Sequence, residues 1–247
     1  SDVCSSDLIM IENNLIKKCT CGNDRLFTNT FVNMLEVVAC EKCDVIHQHL
    51  EGWSNDDYHN FYRHDYHKKY QEEKGVITYQ DRYEHDCHVA DLRLDAYQLP
   101  ANSVGLDIGS SNSAFVHRAR ARGIQCLGLE PGDDIGDDQV TIRGTLESAD
   151  LDPEHFDFVT MHDSIEHMID VNSALQKVKA ILKHNGQLIL DLPDYFSPSG
   201  AHHWKRIEHL WFFAEDQFEK ILCNNGFKTD KITTPIPGKL VFYTRKI

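Results

Sequence analysis

The stretch LDIGSSNSAF, residues 106–115, decides how the chain is read. A short apolar run ends in Asp107, turns through Gly109 and a serine-rich loop, and opens into a helical pattern. At such a strand-to-helix turn, backbone N–H groups can face a bound ligand. A dinucleotide fingerprint, GxGxxG, would place glycines at 109, 111 and 114. The last two positions hold Ser111 and Ala114. Without those glycines a pyrophosphate has less room against the helix.

Working outward, the chain alternates between strand and helix patterns from Ser103 onward. VGLDIG, QCLGLEP, VTIRGT, FDFVTMHD and QLILDLPD are apolar runs of strand length. SAFVHRARARG is helical and stops at Gly123. NSALQKVKAILKHNG puts Ala174, Leu175, Val178, Ile181 and Leu182 on one helical face, with Gly186 as the expected stop. AEDQFEKILCNNG is another helix. FKTDKITT and KLVFYTRKI close the chain as an antiparallel pair. The pattern predicts an α/β, doubly wound, Rossmann-like, seven-stranded mostly parallel sheet over residues 101–247.

In such a sheet ligands sit at the carboxyl ends of strands. The first strand ends at Asp107-Ile108-Gly109, the second at Glu130, the fourth at His162-Asp163-Ser164. A carboxylate after the second strand can accept hydrogen bonds from both hydroxyls of a ribose. With no phosphate cradle, the ligand expected is an adenosine carrying an amino-acid tail.

These segments resemble the class I S-adenosylmethionine-dependent methyltransferases. VGLDIGSSNSAFVHRARARG is similar to their first motif, with GSSNS in place of GxGxG. GLEP is similar to their second-strand acidic motif. Residues 156–194 resemble their fourth-to-fifth-strand block. The resemblance implies that S-adenosyl-L-methionine is the cofactor. Asp107, Gly109 and Ser110 would lie against its methionine end, Glu130 and Pro131 at the ribose, Leu146 near the adenine, and Asp163 and Ser164 beneath the sulfonium.

The N-terminal part reads differently. Residues 1–9 are expected to be a non-native tail, because SDVCSSDL matches one reading frame of a sequencing-library adapter. Residues 10–53 carry Cys19-x-Cys21 and Cys40-x2-Cys43 around strand-like residues, and resemble a zinc-ribbon-like unit. Four thiolates make a closed tetrahedral site, so a structural Zn2+ is expected there. His47 or His49 is the alternative to Cys19. A cysteine-rich unit ahead of such a domain resembles those of bacterial sugar C-methyltransferases and related enzymes of glycan or natural-product pathways. Residues 54–100 are expected to form a helical connector or cap. Tyr58, Tyr62, Tyr66 and Tyr70 recur every four residues, either packing on the main domain or facing substrate.

With no secretory pattern and thiols suited to metal, the chain is expected to be cytoplasmic. No apolar run reaches 18 residues, which argues against a membrane span. The net charge of -14 argues against long nucleic acid as partner. The partner expected is a small-molecule acceptor; the sequence leaves the oligomeric state open.

The acceptor side points to residues 195–216, YFSPSGAHHWKRIEHLWFFAED, a long connection rich in histidine and aromatics. EHLWFF resembles an EHxxxF stretch of the same methyltransferases, where histidine serves as general base. His209 is the leading catalytic candidate, followed by His167 and His162, each weighed against a histidine merely hydrogen-bonded within the fold. His202-His203 is expected to form a lid surface. The expected reaction is O- or C-methylation of a hydroxylated sugar, glycan or natural-product precursor. The alternative is a non-catalytic cofactor-binding module whose zinc unit docks a partner protein.

Overall fold

The computed structural model describes residues 14–23, 26–32, 35–66, 68, 79–235 and 237–247. The expected N-terminal tail and Tyr70 lie outside them. Two sheets organise the chain. The larger has seven strands: β4 (Val104–Ile108), β5 (Gln125–Glu130), β6 (Thr141–Arg143), β7 (Phe156–His162), β8 (Leu182–Pro193), β10 (Phe227–Thr233) and β11 (Lys239–Lys246). Their spatial order is β10-β11-β8-β7-β4-β5-β6. The β6, β5, β4, β7 and β8 pairings are parallel, and β11 is antiparallel to both neighbours. The seven-stranded, mostly parallel α/β sheet is as the sequence predicts.

The chain moves from β4 through β5 to β6 on one side, then returns to β7 on the other. The strand order therefore reverses at β4, and a crevice opens at the carboxyl ends of β4 and β7. Asp107 and Gly109, Glu130, and His162 through Ser164 are carried to that one edge.

Helix α3 (Ala114–Ala121) follows β4, and Gly123 beyond it takes a positive φ of 79°, the left-handed stop its sequence suggests. Helix α4 (Val171–Ile181) begins at Asp170, whose side chain accepts from the Ser173 N–H. It buries Val171, Ala174, Leu175, Val178 and Ile181, the face read from the sequence. Its end differs from the expectation. The helix stops at Ile181 rather than running to Gly186, because Leu182 pairs with Phe156 as the first residue of β8. Burying Leu182 and Phe156 in the sheet outweighs a short extension through His184, Asn185 and Gly186, residues of weak helix propensity. Helix α5 (Glu215–Asn224) packs before β10.

The smaller sheet is antiparallel, in the order β1 (Leu26–Val32), β2 (Leu35–Cys40), β3 (Ile46–Gln48) and β9 (Trp211–Phe212). Its fourth strand comes from the long connection after β8. Ile46 pairs with Phe212 and His47 with Trp211, and both aromatics are buried. The cysteine-bearing hairpin and the 195–216 segment are thus one structural piece.

Between the sheets run α1 (Asn55–Asn60), a π-helical turn at Phe61–Asp65, and α2 (Tyr79–Tyr97). Ser54 and Asp57 form a reciprocal capping box at the start of α1. Among the described residues no helix is long and apolar enough to cross a membrane.

Candidate active site

A cavity of about 490 Å3 opens at the reversal point of the large sheet. It is lined by all eleven residues that the sequence singled out for cofactor or catalysis: Asp107, Gly109, Ser110, Glu130, Pro131, Leu146, His162, Asp163, Ser164, His167 and His209.

The loop quoted at the outset forms one wall. Gly109, Ser111 and Ser113 have φ values of 77°, 47° and 63°. These are the positions of the three glycines in GxGxG. The backbone thus adopts the glycine-loop path with serine at two positions that favour glycine. Three contacts hold it there. Ser111 N–H donates to Glu130 Oε2 at 2.8 Å. The Ser113 hydroxyl lies 2.8 Å from Thr141 Oγ1 and accepts from the Asp137 N–H at 2.9 Å. Gly109 itself allows no side chain: a Cβ there would come within 2.4 Å of Ser164 Oγ. Ser110 also lines the cavity, with its hydroxyl buried against Gly128 and without a hydrogen-bond partner.

Glu130 accepts a second backbone N–H, from Gly132 to Oε1 at 2.9 Å. Asp107 accepts from the Thr160 hydroxyl at 2.8 Å and lies 3.1 Å from His162 Nδ1. His162 is also stacked on Tyr97, whose hydroxyl is 3.0 Å from Nε2. Both its nitrogens thus lie within hydrogen-bond distance of a partner, in the cavity wall.

The cavity also gathers charges from segments that sequence reasoning did not connect. Arg93 of α2 donates to Asp191 Oδ2 at 2.7 Å and 3.1 Å. Lys239 of β11 pairs with Asp163. Burial opposes a charge on Asp163, but the Lys239 ammonium, seconded by Arg93, outweighs it and holds the carboxyl down at about 2.

The opposite wall is aromatic. Tyr58, Tyr62 and Tyr66 line the cavity, and the first two donate to the Glu208 carbonyl at 3.1 and 2.9 Å. The stripe therefore both packs on the fold and faces the cavity. His167 Nδ1 lies 2.5 Å from the same carbonyl and 2.6 Å from the Tyr62 hydroxyl. A carbonyl only accepts, so Nδ1 carries the proton and Nε2 the lone pair. His209 Nδ1 is 2.7 Å from the Tyr195 hydroxyl. Burial pushes His167 down to about 4 and His209 well below the usual histidine range. His202 and His203 reach the cavity edge from a short 3-10 turn.

The four cysteines lie apart from this cavity. One sulfur from each of Cys19, Cys21, Cys40 and Cys43 falls within a 4.8 Å cluster. Cys19 and Cys43 are 3.4 Å apart, and Cys21 and Cys40 3.5 Å. A tetrahedral Zn–S site spaces its sulfurs by about 3.8 Å, so the cluster fits the ion. His47 packs on Trp211 and His49 pairs with Glu36, outside the cluster.

A family model described as a methyltransferase domain matches residues 79–232. Solved structures share the fold at low identity. A SAM-dependent methyltransferase of Thermotoga maritima is 21% identical, with a TM-score of 0.53 over 68% of this chain and 95% of that one. One from Mesorhizobium loti is 16% identical, with a TM-score of 0.54 over 64% and 98%. A Haloferax volcanii methyltransferase, solved in complex with the Trm112 methyltransferase activator, is 13% identical, with a TM-score of 0.55 over 69% and 99%. No curated protein matches the chain.

Proposed function

The chain belongs to the methyltransferase-domain family, as a class I S-adenosylmethionine-dependent enzyme, and on that premise we propose that it methylates a small hydroxylated acceptor. The acceptor class we favour is a sugar, glycan or natural-product precursor, methylated at oxygen or carbon. One observation carries this reading. A single cavity joins the carboxyl ends of β4, β5 and β7 to a wall of tyrosines and histidines from the α1 region and the 195–216 segment.

S-Adenosylmethionine supplies an electrophilic methyl group. The chain's own residues hold and align the reactants. The two Glu130 oxygens, steadied by the Ser111 and Gly132 N–H groups, accept the ribose hydroxyls. Asp107 and Gly109 would hold the methionine end, Pro131 would lie with Glu130 at the ribose, Leu146 near the adenine, and Asp163 and Ser164 near the sulfonium. Methylation of a hydroxyl or carbon acid also requires a proton to leave. His209, with His167 beside it, is the group we place at that proton, since burial keeps both rings neutral and able to accept. The cysteine cluster holds a structural Zn2+ that secures the small sheet.

The test is calorimetric titration with S-adenosylhomocysteine, followed by turnover over hydroxylated acceptors. Micromolar binding, lost in an Asp107→Ala/Glu130→Ala double variant, supports the cofactor site. A His209→Gln loss of about 10²–10⁴ in kcat, with cofactor binding kept, supports the proton acceptor. Folded protein that binds no S-adenosylhomocysteine overturns the reading.

A further inference from the structure

At the acceptor half of the cavity, where His167 and His209 line the wall, Glu166 is buried next to them, and the three form a cluster whose chemistry cofactor binding does not use. Glu166, His167 and His209 each present one ligand atom, and the three atoms lie within 4.8 Å of one another. Glu166 is fully buried, and neither of its carboxylate oxygens has a hydrogen-bond partner. A buried carboxylate with no donor is costly, and native interiors seldom leave one unanswered. Each of the two imidazoles, by contrast, is already oriented through its Nδ1. His167 Nδ1 donates to the Glu208 carbonyl at 2.5 Å, and His209 Nδ1 meets the Tyr195 hydroxyl at 2.7 Å. Metal-binding histidines are held in this way, with the second nitrogen tied to a carbonyl or other oxygen.

Backbone geometry fixes the three together. Glu166 and His167 are consecutive in a 3-10 turn, Ile165–His167, at the carboxyl end of β7. The Leu210 N–H donates to the Glu166 carbonyl at 2.9 Å, which pins the residue after His209 to that turn. The histidine rings stand 4.9 Å apart between centroids.

We propose that Glu166, His167 and His209 bind a divalent transition-metal ion at the acceptor end of the cavity. Two imidazoles and one carboxylate suit Mn2+, Fe2+, Co2+ or Zn2+, and the absence of sulfur sets this site apart from the four cysteines. Three protein ligands leave positions open for an acceptor hydroxyl. The consequence rests on the methyl-transfer reading above and revises one part of it, the acceptor of the proton. An acceptor hydroxyl on the ion loses its proton to water, its oxygen attacks the methyl carbon, and the carbon–sulfur electron pair goes to sulfur. His209 then acts as a ligand in place of a free base.

The test needs neither acceptor nor turnover. Mn2+ alone is titrated into the full chain and followed by the loss of the free-ion electron paramagnetic resonance signal, since this hard ion disfavours the thiolate site. The expected result is one saturable Mn2+ per chain, weakened about tenfold or more in Glu166→Gln and in His167→Gln. S-Adenosylhomocysteine titration of each variant confirms that it is folded. Wild-type protein that binds no Mn2+, or variants that bind it as tightly, overturns the ion. Mn2+ binding without S-adenosylhomocysteine binding would uphold the metal site while the methyl-transfer reading fails.

Discussion

Gln48 and His209, 161 residues apart, are joined by a hydrogen bond from Gln48 Nε2 to the His209 carbonyl at 3.0 Å. The same amide donates to the Lys205 carbonyl at 3.0 Å and accepts from the Ile207 N–H at 2.7 Å. One buried side chain from β3 thus satisfies three backbone groups of the segment that carries the acceptor histidine. Gln48→Ala removes this partner from the Ile207 N–H and the His209 carbonyl, each at a cost of about 1–3 kcal/mol when buried, while the Lys205 carbonyl keeps a long contact from the His209 N–H at 3.4 Å. We expect a lower denaturation midpoint and a fall in kcat larger than any change in S-adenosylhomocysteine affinity. Equal losses in both quantities would mean that Gln48 supports the whole domain rather than the acceptor segment.

The cysteine cluster acts through the same connection. Trp211 pairs with His47 in the small sheet, and its Nε1 donates to the Met168 carbonyl at 2.8 Å, on the cavity side. Cys40→Ser is expected to remove one equivalent of zinc per chain, shift tryptophan emission to the red and abolish turnover. Glu130 ends β5 and Gly109 directly follows β4 of the large sheet, so S-adenosylhomocysteine binding is expected to survive. A variant that loses zinc yet keeps wild-type turnover would contradict a scaffolding role.

The large sheet, and the residues at its strand ends that meet in the cavity, were legible because their signals are local. Apolar runs end in Asp107, Glu130 and His162-Asp163, and glycines close the helices at 123 and 226. The end of α4 was not legible, because Leu182 is drawn into β8 by pairing with Phe156 across the sheet. Nor was β9, a two-residue strand recruited by a distant hairpin. Arg93 and Lys239 converge on Asp191 and Asp163 only when α2 and β11 are folded against β8. Glu166 stood between two residues already singled out, yet what distinguishes it, a buried carboxylate without a donor, is a property of packing. The left-handed path of Ser111 and Ser113 is likewise imposed from outside, by Glu130, Thr141 and Asp137.

Glu130 gives a sharp test of the cofactor end. Its two oxygens accept from Ser111 and Gly132, and one oxygen of a glutamine would instead become a donor facing an N–H group. Glu130→Gln is expected to weaken S-adenosylhomocysteine by about 10–100-fold, the loss of one or two hydrogen bonds to a charged acceptor. Adenine alone lacks the ribose hydroxyls, and its weaker binding is expected to be unchanged. Equal weakening of both ligands would place the effect on the loop rather than on ribose recognition.

The loop that opened the sequence offers the last prediction. Ser111 holds φ at 47°, a conformation that costs a non-glycine residue about 1–2 kcal/mol. Its hydroxyl makes one long contact, accepting from Arg82 at 3.3 Å. Its contact with Glu130 runs through the backbone N–H, which glycine retains. Ser111→Gly should therefore relieve strain and lose little, and glycine's greater freedom in the unfolded chain offsets part of the gain. A net gain of about 1 kcal/mol would raise Tm by about 2–4 °C in a chain of this size. Ser113 occupies the same backbone region, but its hydroxyl contacts Thr141 and the Asp137 N–H. Ser113→Gly forfeits both and is expected to lower Tm. Thermal denaturation of the two variants decides the point. A rise for Ser111→Gly with a fall for Ser113→Gly is the expected pair. A fall for both would show that the Ser111 hydroxyl, through Arg82, contributes more than the strain it carries.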